Sequence, residues 1–201
     1  MWKAIKKLFI STKLNPEDQD HKDKVDLFSR ASTSQDTSLD ELFAKNFNAG
    51  GGHFLYCSDL QEAVYNLKQI IEYENIDSII CLDQELQNDL SEIGIKHSKN
   101  PADQTQNFSL LKCEYLCAFD GSIMISAHQT GGRKIEEFPL NFIIWANANQ
   151  FAHNLSDALQ KLRSIKKDNL PSNITCIRGK DMHSFSSIPN AKNIYLLLVD
   201  N

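Results

Sequence analysis

The stretch HFLYCSDLQEAVYNLKQIIEYENIDSIICL, residues 53 to 82, decides the fold. Its first five residues, His53 to Cys57, are apolar and aromatic and read as a short strand. Ser58-Asp-Leu-Gln61 then has the form of a capping box, in which a small hydroxyl residue and a Gln three positions on close a helix N-terminus. The following residues place Leu60, Ala63, Val64, Leu67 and Ile71 on one face at helical spacing. Ser78 to Leu82 is a second apolar strand. Strand, helix and strand within 30 residues is the unit of an α/β domain with a largely parallel sheet.

Working outward, the same alternation continues. Upstream, Ser38-Leu-Asp-Glu41 has the form of another capping box, with Leu39, Leu42 and Phe43 as an apolar stripe. That helix is expected to stop before Gly50-Gly51-Gly52. Downstream, a short helix through Leu86 and Leu90 ends at Gly94, and Ile95 to His97 reads as a third strand. Ser122 to Ala127, Asn141 to Ala146, Ile174 to Ile177 and Ile194 to Val199 read as further strands. Asn154 to Ile165 reads as a helix with Leu155, Ala158, Leu159 and Leu162 inward. The run IYLLLV does not alternate, which marks a strand covered on both faces.

The first 38 residues read differently. Trp2, Ile5, Leu8 and Phe9 follow helical spacing with Lys3, Lys6 and Lys7 between them. Such a start docks on its own domain or on a partner, or rests weakly on an anionic membrane through residues 1–10. Ser29 to Ser38 is almost all small and polar and reads as a flexible linker. The organisation expected is therefore an amphipathic start and linker over 1–38 and a folded domain over 39–201.

Composition narrows the function. The chain has 201 residues, is 41% hydrophobic and 23% charged, and carries a net charge of -5. That balance suits a soluble globular protein and argues against a nucleic-acid partner, which calls for a basic face. Five cysteines with no CxxC argue for free thiols and a cytoplasmic location. Cys113 and Cys117 are spaced to share a helical face, but two thiols do not complete a metal site, so no metal is expected.

No known catalytic signature is present: no GxGxxG after a strand, no GxxxxGK[ST], no HExxH and no GxSxG. His21, His53, His97, His128, His153 and His183 are scattered. Glu114, Glu136 and Glu137 are candidate general acids that the spacing pairs with nothing.

Three glycine-bearing segments are the ligand-binding candidates. Asp120-Gly121-Ser122 is a tight turn whose N–H groups and Ser122 hydroxyl suit an anion, and equally a plain structural turn. Gly131-Gly132 reads as a hairpin that aims the Arg133 guanidinium at a carboxylate or phosphate. Gly50, Gly51 and Gly52 either let a ligand approach the backbone or simply stop a helix.

The segment Cys113 to Pro139 and the helix after it resemble the LUD domain, the lactate-utilisation domain of LutC-like proteins. The resemblance rests on the turn Ala118-Phe119-Asp120-Gly121-Ser122, on Gly132-Arg133, on the step Phe138-Pro139 and on the helix from Asn154 to Ile165. GGGHFLYCSDLQEA and CLDQEL fit in kind, and the likeness spans about residues 39 to 200. It implies a Rossmann-like three-layer sandwich of the NagB/RpiA/CoA-transferase-like type. It further implies a role in L-lactate or related organic-acid use beside iron–sulfur partner proteins, with a small anionic or phosphate-bearing ligand.

The chain departs from the family pattern at three places. The family's Pro-Ser and Thr-Ala-Asp-Ile pieces before the last strand are absent. Phe142 stands where the family has a histidine, and Asp120 where it has a threonine. The alternative expectation is therefore a non-catalytic interaction or regulatory subunit of an iron–sulfur oxidoreductase complex. No catalytic residue and no cofactor is assigned.

Overall fold

The structure is a computed structural model and describes residues 37–101, 106–167, 169–179 and 191–200. The expectations for the amphipathic start and most of the linker lie outside the described residues.

Among the described residues, ten strands form the sheet: β1 (His53–Cys57), β2 (Ser78–Cys81), β3 (Lys96–Ser98), β4 (Phe108–Lys112), β5 (Tyr115–Cys117), β6 (Ser122–Ile125), β7 (Asn141–Asn147), β8 (Phe151–Ala152), β9 (Thr175–Gly179) and β10 (Ala191–Val199). Among the described residues, five α-helices accompany them: α1 (Leu39–Ala49), α2 (Leu60–Tyr73), α3 (Gln84–Glu92), α4 (Ala127–Thr130) and α5 (Leu155–Lys166). Six strands run parallel in the order β3-β2-β4-β7-β10-β1. The remaining four, in the order β9-β6-β5-β8, form a mixed extension joined through β9, which pairs with the start of β10.

Helices flank both sides of this sheet, so the expected α/β sandwich is observed. On one face, Leu67, Ile70 and Ile71 of α2 and Leu86 and Leu90 of α3 pack on Ile79, Leu110, Ile143 and Leu197. On the other, Phe43 and Phe47 of α1 pack on Phe54, Phe142, Ile144, Leu196 and Leu198. The inward residues of the extension, Leu116, Ile123, Ile125 and Ile177, join this second cluster. Ala158 and Leu162 of α5 cover the extension's outer face. β10 is buried on both faces, Leu196 and Leu198 in one cluster and Leu197 and Val199 in the other, as its unbroken apolar run requires.

Several local readings are corrected. The box at Ser58 is shifted by one residue: Asp59 is the N-cap and accepts from the Glu62 N–H at 2.8 Å, while Glu62 accepts from Ser58. Ser38 is the N-cap of α1, but its hydroxyl makes no cap bond. Leu155 is 42% exposed and points outward, because α5 begins one residue after its cap Asn154 and turns Ala158 and Leu162 inward instead. Cys113 and Cys117 share no helical face: Cys117 lies on β5 and Cys113 just before it. Finally, 126–133 is no hairpin. Ser126 and Gln129 form a capping box that opens α4, and Gly131, at φ 60°, closes it in the left-handed region.

Candidate functional site

The three candidate segments separate into two places. At the first, α1 brings Gly121 and the triple glycine together. The Phe47 ring lies over Gly52, where an added Cβ would stand 2.4 Å from it. Asn46 donates from its side-chain amide to the carbonyls of Ala118 at 2.8 Å and Phe119 at 3.1 Å. That clamp presses the end of α1 onto Gly121, where a Cβ would stand 2.5 Å from the Phe47 nitrogen. Gly179 meets the backbone of Gly50, Gly51 and Gly52 within 2.4 to 2.7 Å of where its own Cβ would be. These glycines thus serve close backbone packing.

The turn at Asp120 supplies its own anion. One Asp120 oxygen accepts from the Ser122 N–H at 3.1 Å and the Ser122 hydroxyl at 2.7 Å. The other pairs with the Arg178 guanidinium. The backbone donor and the hydroxyl that the sequence offered to a ligand are engaged by this carboxylate.

The second place is reached along β6. Ser122 opens that strand and Ser126 follows its end, which separates the two by about 13 Å of extended chain. Here α4 and the Gly131-Gly132 turn lie over the C-terminal ends of β2 and β4. A Cβ on Gly131 would contact Leu82, just past β2, at 3.4 Å. The chain leaves β2 through α3 to β3 at the sheet edge, and leaves β4 on the opposite side, through β5, β6 and α4, before it returns as β7. The crevice between the ends of β2 and β4 is therefore a topological switch point, the place where open α/β sheets take ligands.

The side chains at this point form one connected network. Glu114 follows the end of β4 with its side chain only 10% exposed. Its Oε1 accepts from the Ser126 hydroxyl at 2.7 Å and the Gln129 amide at 3.0 Å, and the His128 Nδ1 stands 3.6 Å away. Its Oε2 has no partner among the described residues. Gln150 fixes the backbone beneath, donating to the Cys113 carbonyl at 2.6 Å and the Glu114 carbonyl at 3.2 Å. Lys112, the last residue of β4, bridges Asp83 at 3.1 Å and Glu85 at 2.5 Å. Burial is the largest single effect and lowers its pKa, but the hydrogen bonds and charges of Glu85 and Asp83 together outweigh it and raise the ammonium above its usual value. Arg133 makes only a loose, half-exposed pair with Glu137 at 3.7 Å. Such a pair contributes little and is readily exchanged for a ligand.

Glu114, Ser126, Gln129 and His128 are thus joined by the fold, although no spacing in the sequence joins Glu114 to the others. The Ser126-x-x-Gln129 capping box was the legible signal for that segment. Nothing in the sequence marks Lys112, because FSLLK carries no strand pattern.

An α/β protein with a parallel sheet, and a polar network at its switch point, is the class these features define. No family model and no curated protein matches the chain. Among solved structures it is similar to a DUF162 family protein from Deinococcus radiodurans, with a TM-score of 0.58 and 11% sequence identity. The likeness covers 81% of this chain and 96% of that one. DUF162 is the LUD domain in current naming, so the shared fold agrees with the resemblance carried by residues 113–162. At that identity the likeness establishes the fold alone.

Proposed function

We propose that this chain is a LUD-like protein that binds a small anionic or phosphate-bearing metabolite in the crevice between the C-terminal ends of β2 and β4. The observation that carries this reading is the nine-tenths-buried Glu114 at the switch point. One of its oxygens is pinned by Ser126 and Gln129, and the other is open among the described residues. Arg133 supplies a cation for the ligand's carboxylate or phosphate. Glu114 accepts a hydrogen bond from a hydroxyl, and His128 beside it offers a route for a proton. A hydroxy acid or a phosphorylated alcohol satisfies both ends, which agrees with the organic-acid role that the family resemblance implies.

A second reading is a non-catalytic interaction subunit for an iron–sulfur partner. It is favoured by the Asp120 carboxylate, which fills the anion cradle of its own turn.

A thermal-shift screen separates the two. Ligands would be lactate, pyruvate, phosphate, sugar phosphates, CoA esters and nucleotides, against the native chain, Arg133→Ala and Glu114→Gln. At a hundred times Kd a ligand stabilises by about 2.7 kcal/mol. For a chain of this size that raises Tm by about 5 to 11 °C. A shift with one ligand class, lost in Arg133→Ala, supports the first reading. No shift with any ligand supports the second.

A further inference from the structure

Among the described residues, Lys192 is the only buried lysine: the whole residue is 5% exposed. It lies at the start of β10 on the face that carries Ile194, Leu196 and Leu198, because side chains alternate along a strand. That face packs with Phe138 and Phe142 in one apolar cluster. The Lys192 nitrogen stands 5.6 Å from the centroid of the Phe142 ring. Among the described residues it makes no hydrogen bond and no ion pair.

A buried ammonium without a partner is costly, and it meets that cost by giving up its proton more readily. The attraction of a ring face for a cation is smaller than the cost of burying an unpaired charge. Burial accordingly lowers the pKa of Lys192, and the Glu136 carboxylate offsets only part of this. A lysine desolvated by apolar walls is a nucleophile, because the neutral amine carries the lone pair.

The place is distinct from the switch point and does not depend on the function proposed there. Asn193 pairs with Asn141, and Lys112 pairs with Trp145. Lys192, one residue before Asn193, is therefore five residues below the level of Lys112. At about 3.3 Å per residue that is about 17 Å along the strands, at the opposite end of the sheet.

We propose that Lys192 is a carbonyl-capture site: a buried, unpaired amine against the Phe142 ring that forms a reversible imine with an apolar aldehyde. The nitrogen lone pair attacks the carbonyl carbon. A carbon–nitrogen bond forms, and the carbonyl π electrons move to the oxygen, which takes up a proton. The nitrogen then loses its protons, the carbon–oxygen bond breaks and water leaves, so nothing is oxidised or reduced. The apolar wall keeps water from the product and slows its hydrolysis. The class of ligand follows from the surroundings. Glu136 is the one charge acting on the amine, and it repels the carboxylate of a 2-oxo acid. Phe138 and Phe142 instead suit an apolar body.

The test uses the full chain at pH 7, with hexanal or glyoxylate as the probe. Cyanoborohydride reduces each imine to a stable amine, and peptide mass spectrometry follows every lysine. Lys68, exposed on α2, is the reference. With hexanal, Lys192 is expected to be labelled at least about fivefold faster than Lys68, since each unit of lowered pKa gives about tenfold more neutral amine. Glyoxylate should label it more slowly than hexanal. Glu136→Gln should speed the labelling, because it removes the charge that favours the ammonium. Lys192→Met should abolish the label and leave Tm unchanged or higher, because an apolar chain then fills an apolar place. Labelling of Lys192 no faster than Lys68, a preference for glyoxylate, or a lower Tm in Lys192→Met would each overturn the proposal.

Discussion

Replacing Gly121 by alanine tests how closely α1 is pressed onto the turn at Asp120. Gly121 sits at φ 66°, a left-handed conformation that costs an alanine about 1 kcal/mol. The added Cβ would stand 2.5 Å from the Phe47 nitrogen and 2.7 Å from the Asn46 carbonyl carbon. Both are backbone atoms and cannot rotate away. Reaching ordinary contact needs a shift of about 0.9 Å, and overpacking of this kind costs about 1 to 3 kcal/mol. Moving α1 also strains the two hydrogen bonds of Asn46, each worth about 1 kcal/mol. The total is about 3 to 5 kcal/mol. Gly132→Ala is the control: its φ is 80°, and nothing lies within 4 Å of the added Cβ. It should lose only about 1 kcal/mol, the conformational part. Urea unfolding of both variants measures the difference, expected at about 2 to 4 kcal/mol. Equal losses would refute the close packing of α1 on this turn.

Two further outcomes follow from the same geometry. Glu114→Ala removes the acceptor of the Gln129 amide and one of the two acceptors of the Ser126 hydroxyl, which keeps the Gln129 oxygen at 3.0 Å. It should destabilise the chain by about 1 to 2 kcal/mol in urea unfolding, with Glu114→Gln losing less. Asp157 is held below its usual pKa, first by the His153 N–H and then by Lys161. A depressed carboxylate stabilises above its unfolded pKa of about 3.9, and that contribution is lost as pH falls through the folded value. Asp157→Asn should therefore lower Tm at pH 7, and the gap to the native chain should close below about pH 4.

How much of this was legible in the sequence depended on how local each signal was. β1, α2 and β2 follow from apolar spacing over residues 53–82, and β10 from an unbroken apolar run, because burial alone fixes those patterns. FSLLK, the strand in the middle of the parallel sheet, was passed over: five residues with a polar serine inside show no alternation, and Ser109 is buried only by its neighbours in the sheet. The turn from Ser126 to Arg133 differs from the expected hairpin because paired glycines signal a hairpin as strongly as a helix end. The Ser126–Gln129 box decided between them. The triple glycine and Gly179 are 127 residues apart, counted from Gly52, and only the fold shows that they exist for each other. The same holds for Glu114 with Ser126 and for Asp120 with Arg178: the residues were visible, and their pairing was not.

The most direct measurement is the backbone amide chemical-shift map of the ligand that raises Tm most. The account predicts that perturbed amides gather at residues 112–114 and 126–133, around Glu114, His128 and Arg133, and that Glu114→Gln weakens them. A map gathered instead at 50–52 and 119–122 would contradict it, and would return the binding site to the turn that Asp120 now fills.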